Sequence, residues 1–200
     1  MKVVLASGNP GKVREIAGIF AGLDIQLVPQ SEFNIESPAE TGTTFVENAL
    51  LKARFAAAAT GLPAMADDSG IVVDALDGRP GVYSARYAGE TASDSANVDK
   101  LLEELGGITA EDRGAGFHCA AVLVFPDEKA TPAVTEAVWR GLILQQREGD
   151  GGFGYDPVFL DPDIGKTGAQ MSREEKNRVS HRGKAFRQLR QIFQDTLQPG

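Results

Sequence analysis

Adjacent carboxylates, Asp67 and Asp68, stand in Ala66-Asp67-Asp68-Ser69-Gly70, between the strand-like pieces Pro63 to Ala66 and Ile71 to Val73. Carboxylates that interrupt apolar sequence need solvent, a cation or hydrogen-bond donors. With Glu40, in Glu40-Thr41-Gly42, they are the best hard-cation ligands in the chain. Magnesium takes one or two carboxylates, keeps several waters and completes its shell with substrate phosphates. No His/Cys cluster competes for a softer metal. Taken alone, Asp67 to Gly70 also reads as a solvated turn and Glu40 as a loop acid ahead of a helix.

Ser7-Gly8-Asn9-Pro10-Gly11-Lys12 lies between a strand and a helix. There glycines let the backbone approach a ligand, and a helix N-terminus presents N–H groups to an anion such as phosphate. It is not a Walker A loop: its glycines are too close together, and Val13 follows Lys12 where a magnesium-binding Ser or Thr would stand. An ordinary turn with a solvated lysine is the plain alternative. Lys52, Lys176 and Arg182 could add charge to a polyphosphate cleft, and each could equally lie on a solvated helix face. Gly151-Gly152-Phe153-Gly154-Tyr155-Asp156-Pro157 places an aromatic ring in flexible backbone, as base stacking would require, or tucks Phe153 into the core of a loop. Ser180-His181-Arg182-Gly183 stands at the start of the last helix, where a cap followed by surface charge is the plain reading. His118, within an apolar strand, reads as a hydrogen-bonded core histidine.

The elements that must position these residues follow an α/β pattern. Lys2 to Ser7 reads as a buried strand, Gly11 to Ala21 as an amphipathic helix and Asp24 to Val28 as a second strand. Thr44-Phe45-Val46-Glu47 is a capping box for a helix through Leu50, Ala53 and Ala57, closed by Gly61 and Pro63. A turn-rich stretch, Asp77 to Gly81, precedes a helix over Ser93 to Leu105. Strands over Phe117 to Phe125 and Ala133 to Leu144 are spaced to pair as a hairpin. A last helix carries Ala185, Phe186, Leu189, Ile192 and Phe193 on one face. No repeat, coiled coil or clear linker divides the chain, so one domain over 1–200, with two lobes, is the economical reading.

With 42% hydrophobic residues, 200 residues can bury a sizeable core without disulfides. The one cysteine, Cys119, lies in an apolar strand, where a thiol is a small apolar group, and a reduced cytoplasmic protein is expected. No stretch approaches the roughly 18 apolar residues of a membrane span or the pattern of a signal peptide. A net charge of −8 argues against a broad nucleic-acid surface.

These pieces, in order, closely resemble the inosine/xanthosine triphosphate pyrophosphatases, which remove deaminated purine nucleotides. The match includes Ser7-Gly8-Asn9 with Lys12, Glu40-Thr41-Gly42, Phe45 to Ala49, Ala66 to Gly70, Pro80 to Tyr87, Gly152 to Pro157 and Ser180 to Gly183. The resemblance implies an α/β fold, with a long mixed twisted sheet, flanking helices and two lobes around a nucleotide cleft, usually in a homodimer. It implies hydrolysis of ITP, dITP, XTP and dXTP to monophosphate and pyrophosphate with Mg2+. Glu40 and Asp68 match its metal ligands, and Asp68 its catalytic base. Ser7, Gly8, Asn9, Pro10, Gly11, Lys12, Ser69 and Lys176 match substrate contacts. Phe153, Gly154, Tyr155, Asp156, His181 and Arg182 match the base-binding side. Ser7 stands where many relatives carry threonine, which keeps the hydroxyl. A kinase would need the Walker A features missing here, and a nucleotide sensor would not need a catalytic base.

Overall fold

The computed structural model describes residues 1–127 and 129–197. Among these residues there are seven strands: β1 (Lys2–Leu5), β2 (Gln26–Pro29), β3 (Ala64–Val73), β4 (Gly114–Val124), β5 (Ala133–Ile143), β6 (Phe159–Asp161) and β7 (Lys166–Thr167). They form one sheet in the order β2-β1-β3-β4-β5-β6-β7. β1 pairs parallel with β2 and β3, while β6 pairs antiparallel with β5 and β7, so the sheet is mixed as expected. The α-helices are α1 (Pro10–Ile19), α2 (Phe45–Thr60), α3 (Asp94–Glu104), α4 (Arg173–Val179) and α5 (His181–Leu197). No helix among the described residues is long and apolar enough to cross a membrane.

The chain divides into two compact units, each assembled from separate segments. The first holds Met1–Asp68, Cys119–Ala137 and the segment beginning at His181; the second holds Ser69–His118 and Val138–Ser180.

In the first unit, strand alternation sorts the apolar residues onto two faces. Val3, Leu5, Met65, Cys119, Ala121 and Leu123 pack with Ile16, Ile19 and Phe20 of the α1 region and Ala185, Phe186, Leu189 and Phe193 of α5. Val4, Ala6, Ala64, Ala66, Ala120 and Val122 face the other way, onto Ala49, Ala53, Ala56 and Ala57 of α2. Those alanines, at helical spacing, give α2 a smooth side that lies close against the strands. The expected capping box forms, with Glu47 N–H donating to Thr44 Oγ1 at 3.1 Å and Thr44 N–H to Glu47 Oε2 at 3.2 Å. Gly61 ends the helix at φ 67°, a left-handed conformation that suits glycine.

Three sequence expectations change. β3 runs unbroken through Asp67-Asp68-Ser69-Gly70, because its acids meet cations from the helices and need not leave the sheet for solvent. A helix, α4, precedes the last one, started by a capping box of Ser172 and Glu175. Ile192 is 38% exposed, at the edge of the arc buried by Ala185, Phe186, Leu189 and Phe193.

In the second unit α3 packs Val98, Leu101 and Leu105 against Ile71, Val73, Phe117 and Trp139. Phe159 meets Phe117 and Trp139 with ring centroids 4.7 Å from each. Trp139 Nε1 donates to Asp161 Oδ2 at 2.7 Å, which satisfies the buried indole. Arg113 donates to the carbonyls of Leu105 and Ile143 at 2.8 Å and of Leu144 at 3.0 Å, tying the end of α3 to the end of β5. Gly141 has no room for a side chain: a Cβ there would run into the Leu160 carbonyl oxygen and lie 2.6 Å from the Phe159 ring. Because the first obstacle is backbone, Gly141→Ala is expected to cost about 1–3 kcal/mol of unfolding free energy, read as a lower urea midpoint at an unchanged slope.

Candidate active site

The period of a strand puts Asp67 and Asp68 on opposite faces of β3. Asp67 shares the Met65 side, toward α1 and α5, and Asp68 shares the Ala64 and Ala66 side, toward α2. Both are buried. Read from the sequence, the two acids form one group of hard-cation ligands; in the structure they serve two different clusters of the first unit.

On the α1 and α5 side, Lys12 Nζ lies 3.0 Å from Asp67 Oδ2, and Arg182 Nε reaches the same oxygen at 3.3 Å. Arg182 Nη1 also meets Glu15 Oε2 of α1 at 2.7 Å. Burial pushes the Asp67 carboxyl up, but Lys12, Arg182 and Lys52 together hold it well below the usual carboxylate range. Arg182 is only 2% exposed, and His181 beside it is buried too. Arg182, a base donor by resemblance, therefore also clamps α1 to β3.

The segment Ser7 to Lys12, expected to take a phosphate, leads into α1. Asn9 Oδ1 accepts from Gly11 N–H at 2.8 Å and Lys12 N–H at 3.1 Å, and Ser7 Oγ accepts from Asn9 N–H at 3.2 Å. Ser7 N–H donates to the Leu5 carbonyl at 3.0 Å, and Pro10 has no N–H. The helix end expected to offer its N–H groups to an anion is thus capped by Asn9, and Lys12 Nζ is the cation this segment brings.

On the α2 side, Lys52 Nζ lies 2.9 Å from Asp68 Oδ1 and 2.6 Å from Glu40 Oε1, while Asn48 Nδ2 donates to Asp68 Oδ2 at 3.2 Å. The loop carrying Glu40 is held in place. Gly42 N–H donates to Asn48 Oδ1 at 2.8 Å, and Glu47 Oε2 accepts from Thr43 N–H at 2.7 Å and Thr43 Oγ1 at 2.9 Å. A Cβ at Gly42 would lie 2.7 Å from Asn48 Oδ1, so only glycine lets the loop close on α2. Burial pushes the Asp68 carboxyl up; Lys52 pulls it down and Glu40 pushes it up again, leaving it above the ordinary carboxylate value. Burial opposes charge on Lys52, but Asp68, Asp67 and Glu40 hold its ammonium above its ordinary value. Two carboxylates already converge on one cation here, and an all-oxygen set of that charge fits a magnesium ion.

In the second unit, Asp156 organises the aromatic loop. Its Oδ2 accepts from Phe153 N–H at 2.8 Å and from Lys176 Nζ at 2.6 Å. A Cβ at Gly168 would lie 2.8 Å from Asp156 Oδ1, and one at Gly152 would strike Oδ2, so glycines make room for the buried acid. Lys176 Nζ stands 4.6 Å from the centroid of the Phe153 ring, a cation–π contact. Lys176 is 5% exposed, not the solvated helix cation that its sequence context allows. Tyr155 Oη donates to the Ser84 carbonyl at 2.9 Å, and Gly154 N–H donates to Asp94 Oδ2 at 2.8 Å. Ser69, half-buried on β3, begins this unit.

Glu15, Asn48 and Asp94 were not foreseen. Asn48 alone left a signal: it stands four residues before Lys52, so both share the alanine face of α2, where polar side chains need partners. Cys119 is buried as expected, and burial pushes its thiol up, away from reactivity.

Fold and clusters together define a mixed α/β protein that buries charged groups around one central strand. A family model described as the Ham1 family matches residues 3–192, and the chain belongs to that family. It is 56% identical over 188 residues to a dITP/XTP pyrophosphatase of Pectobacterium atrosepticum, covering 94% of this chain and 95% of that one. A protein of the same name from Yersinia pestis is 54% identical over 194 residues, covering 97% and 98%. A solved HAM1 protein of Coxiella burnetii superposes with a TM-score of 0.90 at 44% identity, covering 98% of this chain and 99% of that one.

Asp67→Asn removes the negative partner of Lys12 and Arg182, and is expected to cost about 3–5 kcal/mol, the range for breaking a buried pair. The sign with pH follows from its depressed titration: stability from Asp67 is full above the ordinary carboxylate range and is lost as pH falls below it. Urea titrations at neutral and acid pH should therefore show the difference between wild type and Asp67→Asn shrinking as pH falls.

Proposed function

We propose that the chain hydrolyses nucleoside triphosphates whose purine carries oxygen at position 6 (ITP, dITP, XTP and dXTP) to the nucleoside monophosphate and pyrophosphate. The observation that carries the reading is the convergence of Glu40 and buried Asp68 on one cation, in a chain of the Ham1 family. The names of its relatives, dITP/XTP pyrophosphatases, support the substrate class.

Water cleaves the bond between the α- and β-phosphates, and pyrophosphate leaves. A magnesium ion held by Glu40 and Asp68 would neutralise phosphate charge and acidify a nearby water. Asp68 accepts the proton of the attacking water. Asn48 holds its second oxygen, which fixes the direction in which the carboxylate presents itself. Lys12, the cation that the Ser7 to Gly11 segment carries, receives the phosphates, with Ser69 next to Asp68 in sequence. Asp67 acts on the opposite face by holding Lys12 and Arg182 in place.

For the base, an acceptor oxygen at position 6 pairs with the donors of His181 and Arg182, whereas the amino group of adenine opposes them. A buried donor left unpaired loses binding, and such mismatches discriminate by about 10⁴ in dry sites. Phe153, Gly154, Tyr155 and Asp156, with Lys176, are the proposed base-side contacts in the second unit. In this reading the protein is a cytoplasmic homodimer that engages neither nucleic acid nor membranes.

Incubation with ITP, XTP, GTP and ATP in magnesium, followed by product analysis, tests the reaction: monophosphate and pyrophosphate support it, and diphosphate with free phosphate overturns it. Asp68→Asn should lower kcat at least about 10²-fold while the protein remains folded. Near-normal turnover with an intact melting transition would remove Asp68 from the mechanism. Glu40→Gln should raise the magnesium concentration needed for half-maximal rate, and an unchanged magnesium titration would make Glu40 a loop acid only.

A further inference from the structure

The charges around β3 are not distributed evenly. On the α1 and α5 side, Lys12 and Arg182 meet Asp67 and Glu15, two cations against two acids. On the α2 side, Lys52 Nζ meets both Glu40 and Asp68, one cation placed against two acids. The lysine ammonium lies within hydrogen-bond distance of one oxygen from each acid, on the carboxylates proposed to hold the metal. We propose that Lys52 competes with the divalent cation for Glu40 and Asp68 and thereby weakens metal binding in the absence of nucleotide.

The inference rests on the reading of Glu40 and Asp68 as metal ligands. A dication coordinating those acids competes with Lys52 for the same negative charge, and where it takes Asp68 Oδ1 or Glu40 Oε1 the lysine contact to that oxygen must lengthen. Two like charges a few ångströms apart repel strongly in partly buried surroundings, which adds to the cost. Lysine suits this exchange: its ammonium is a point charge on a four-carbon stem and can swing away without breaking the helix that carries it. The lysine is still needed, because two acids drawn together into a buried site without any cation would be costly. Metal binding is then conditional on a partner that can accommodate the displaced ammonium, and the phosphates of the substrate are such a partner.

The expectation runs against intuition, since removing a residue from the cluster should improve binding. Manganese, observed by electron spin resonance with protein free of nucleotide, is the probe. Lys52→Met and Lys52→Gln are expected to bind it about tenfold or more tightly than wild type, and Lys52→Arg, which keeps the charge, is not. Manganese should also raise the melting temperature of the two neutral variants more than that of wild type. Glutamine retains hydrogen-bond donors for the acids and so serves if the methionine variant fails to fold. Equal or weaker manganese binding by a folded neutral variant overturns the competition. Glu40→Gln and Asp68→Asn supply the control. If neither weakens manganese binding, the metal reading itself is lost; if both do and the neutral Lys52 variants bind no tighter, only the competition is lost.

Discussion

Placing two adjacent carboxylates in the middle of a buried strand is the constraint from which much of the first unit follows. Neither acid can keep its hydration there, and each must find cations or donors within reach. A strand presents neighbouring residues to opposite faces, so one set of partners cannot serve both. Asp67 takes its partners from α1 and α5, and Asp68 takes its partners from α2. Three helices thus owe part of their docking to β3's polar step as well as to its apolar neighbours. The two acids titrate in opposite directions: burial pushes both up, but Lys12 and Arg182 outweigh it at Asp67, whereas at Asp68 the pull of Lys52 and Lys12 is opposed by Glu40 as well as by burial.

The second unit solves a different problem. A run rich in glycine has much conformational freedom to lose, and an aromatic ring carried on it is useful only if that freedom is removed in advance. Here the removal is done by side chains from distant parts of the sequence. Asp156 accepts from Phe153 N–H, Asp94 accepts from Gly154 N–H, and Tyr155 reaches the Ser84 carbonyl. Arg147, just before the glycines, meets Asp99 at 2.9 Å, so the first two turns of α3 anchor both ends of the loop. Glycine is required at Gly152 for a second reason, because the Asp156 carboxylate occupies the space a Cβ would take.

Much of this was legible in the residues. Periodicity located the opening strand and helix, the capped α2, α3 and the β4 and β5 strands to within a few residues, since each is decided by local pattern. What stayed hidden depends on contacts between distant segments. Arg182 and Asp67 are 115 residues apart, and Arg182 and Glu15 are 167 apart, so no spacing rule joins them. The break expected in β3 has the same origin: two acids look like an interruption until the cations that neutralise them are known. At the N-terminus of α1 the sequence suggested an anion site, but Asn9 supplies an oxygen of its own, a competition that turn chemistry allows and that composition does not reveal.

The buried position of Arg182 changes how base selection has to be understood. A guanidinium held by two carboxylates is fixed in direction, so any donor it presents is set before a ligand arrives, and little entropy remains to be lost on binding. A flexible cation could turn away from an amino group that opposes it; a clamped one can satisfy only an acceptor placed where its N–H points. Discrimination between a 6-oxo and a 6-amino purine would then come from rigidity as much as from charge, and Glu15 and Asp67, which touch no base in this reading, would be its source. The same rigidity means that truncating Arg182 does more than delete a donor, because it leaves Asp67 and Glu15 without a cation that both face. In the proposed function, loss of selectivity and loss of stability are therefore linked at this residue through one set of contacts.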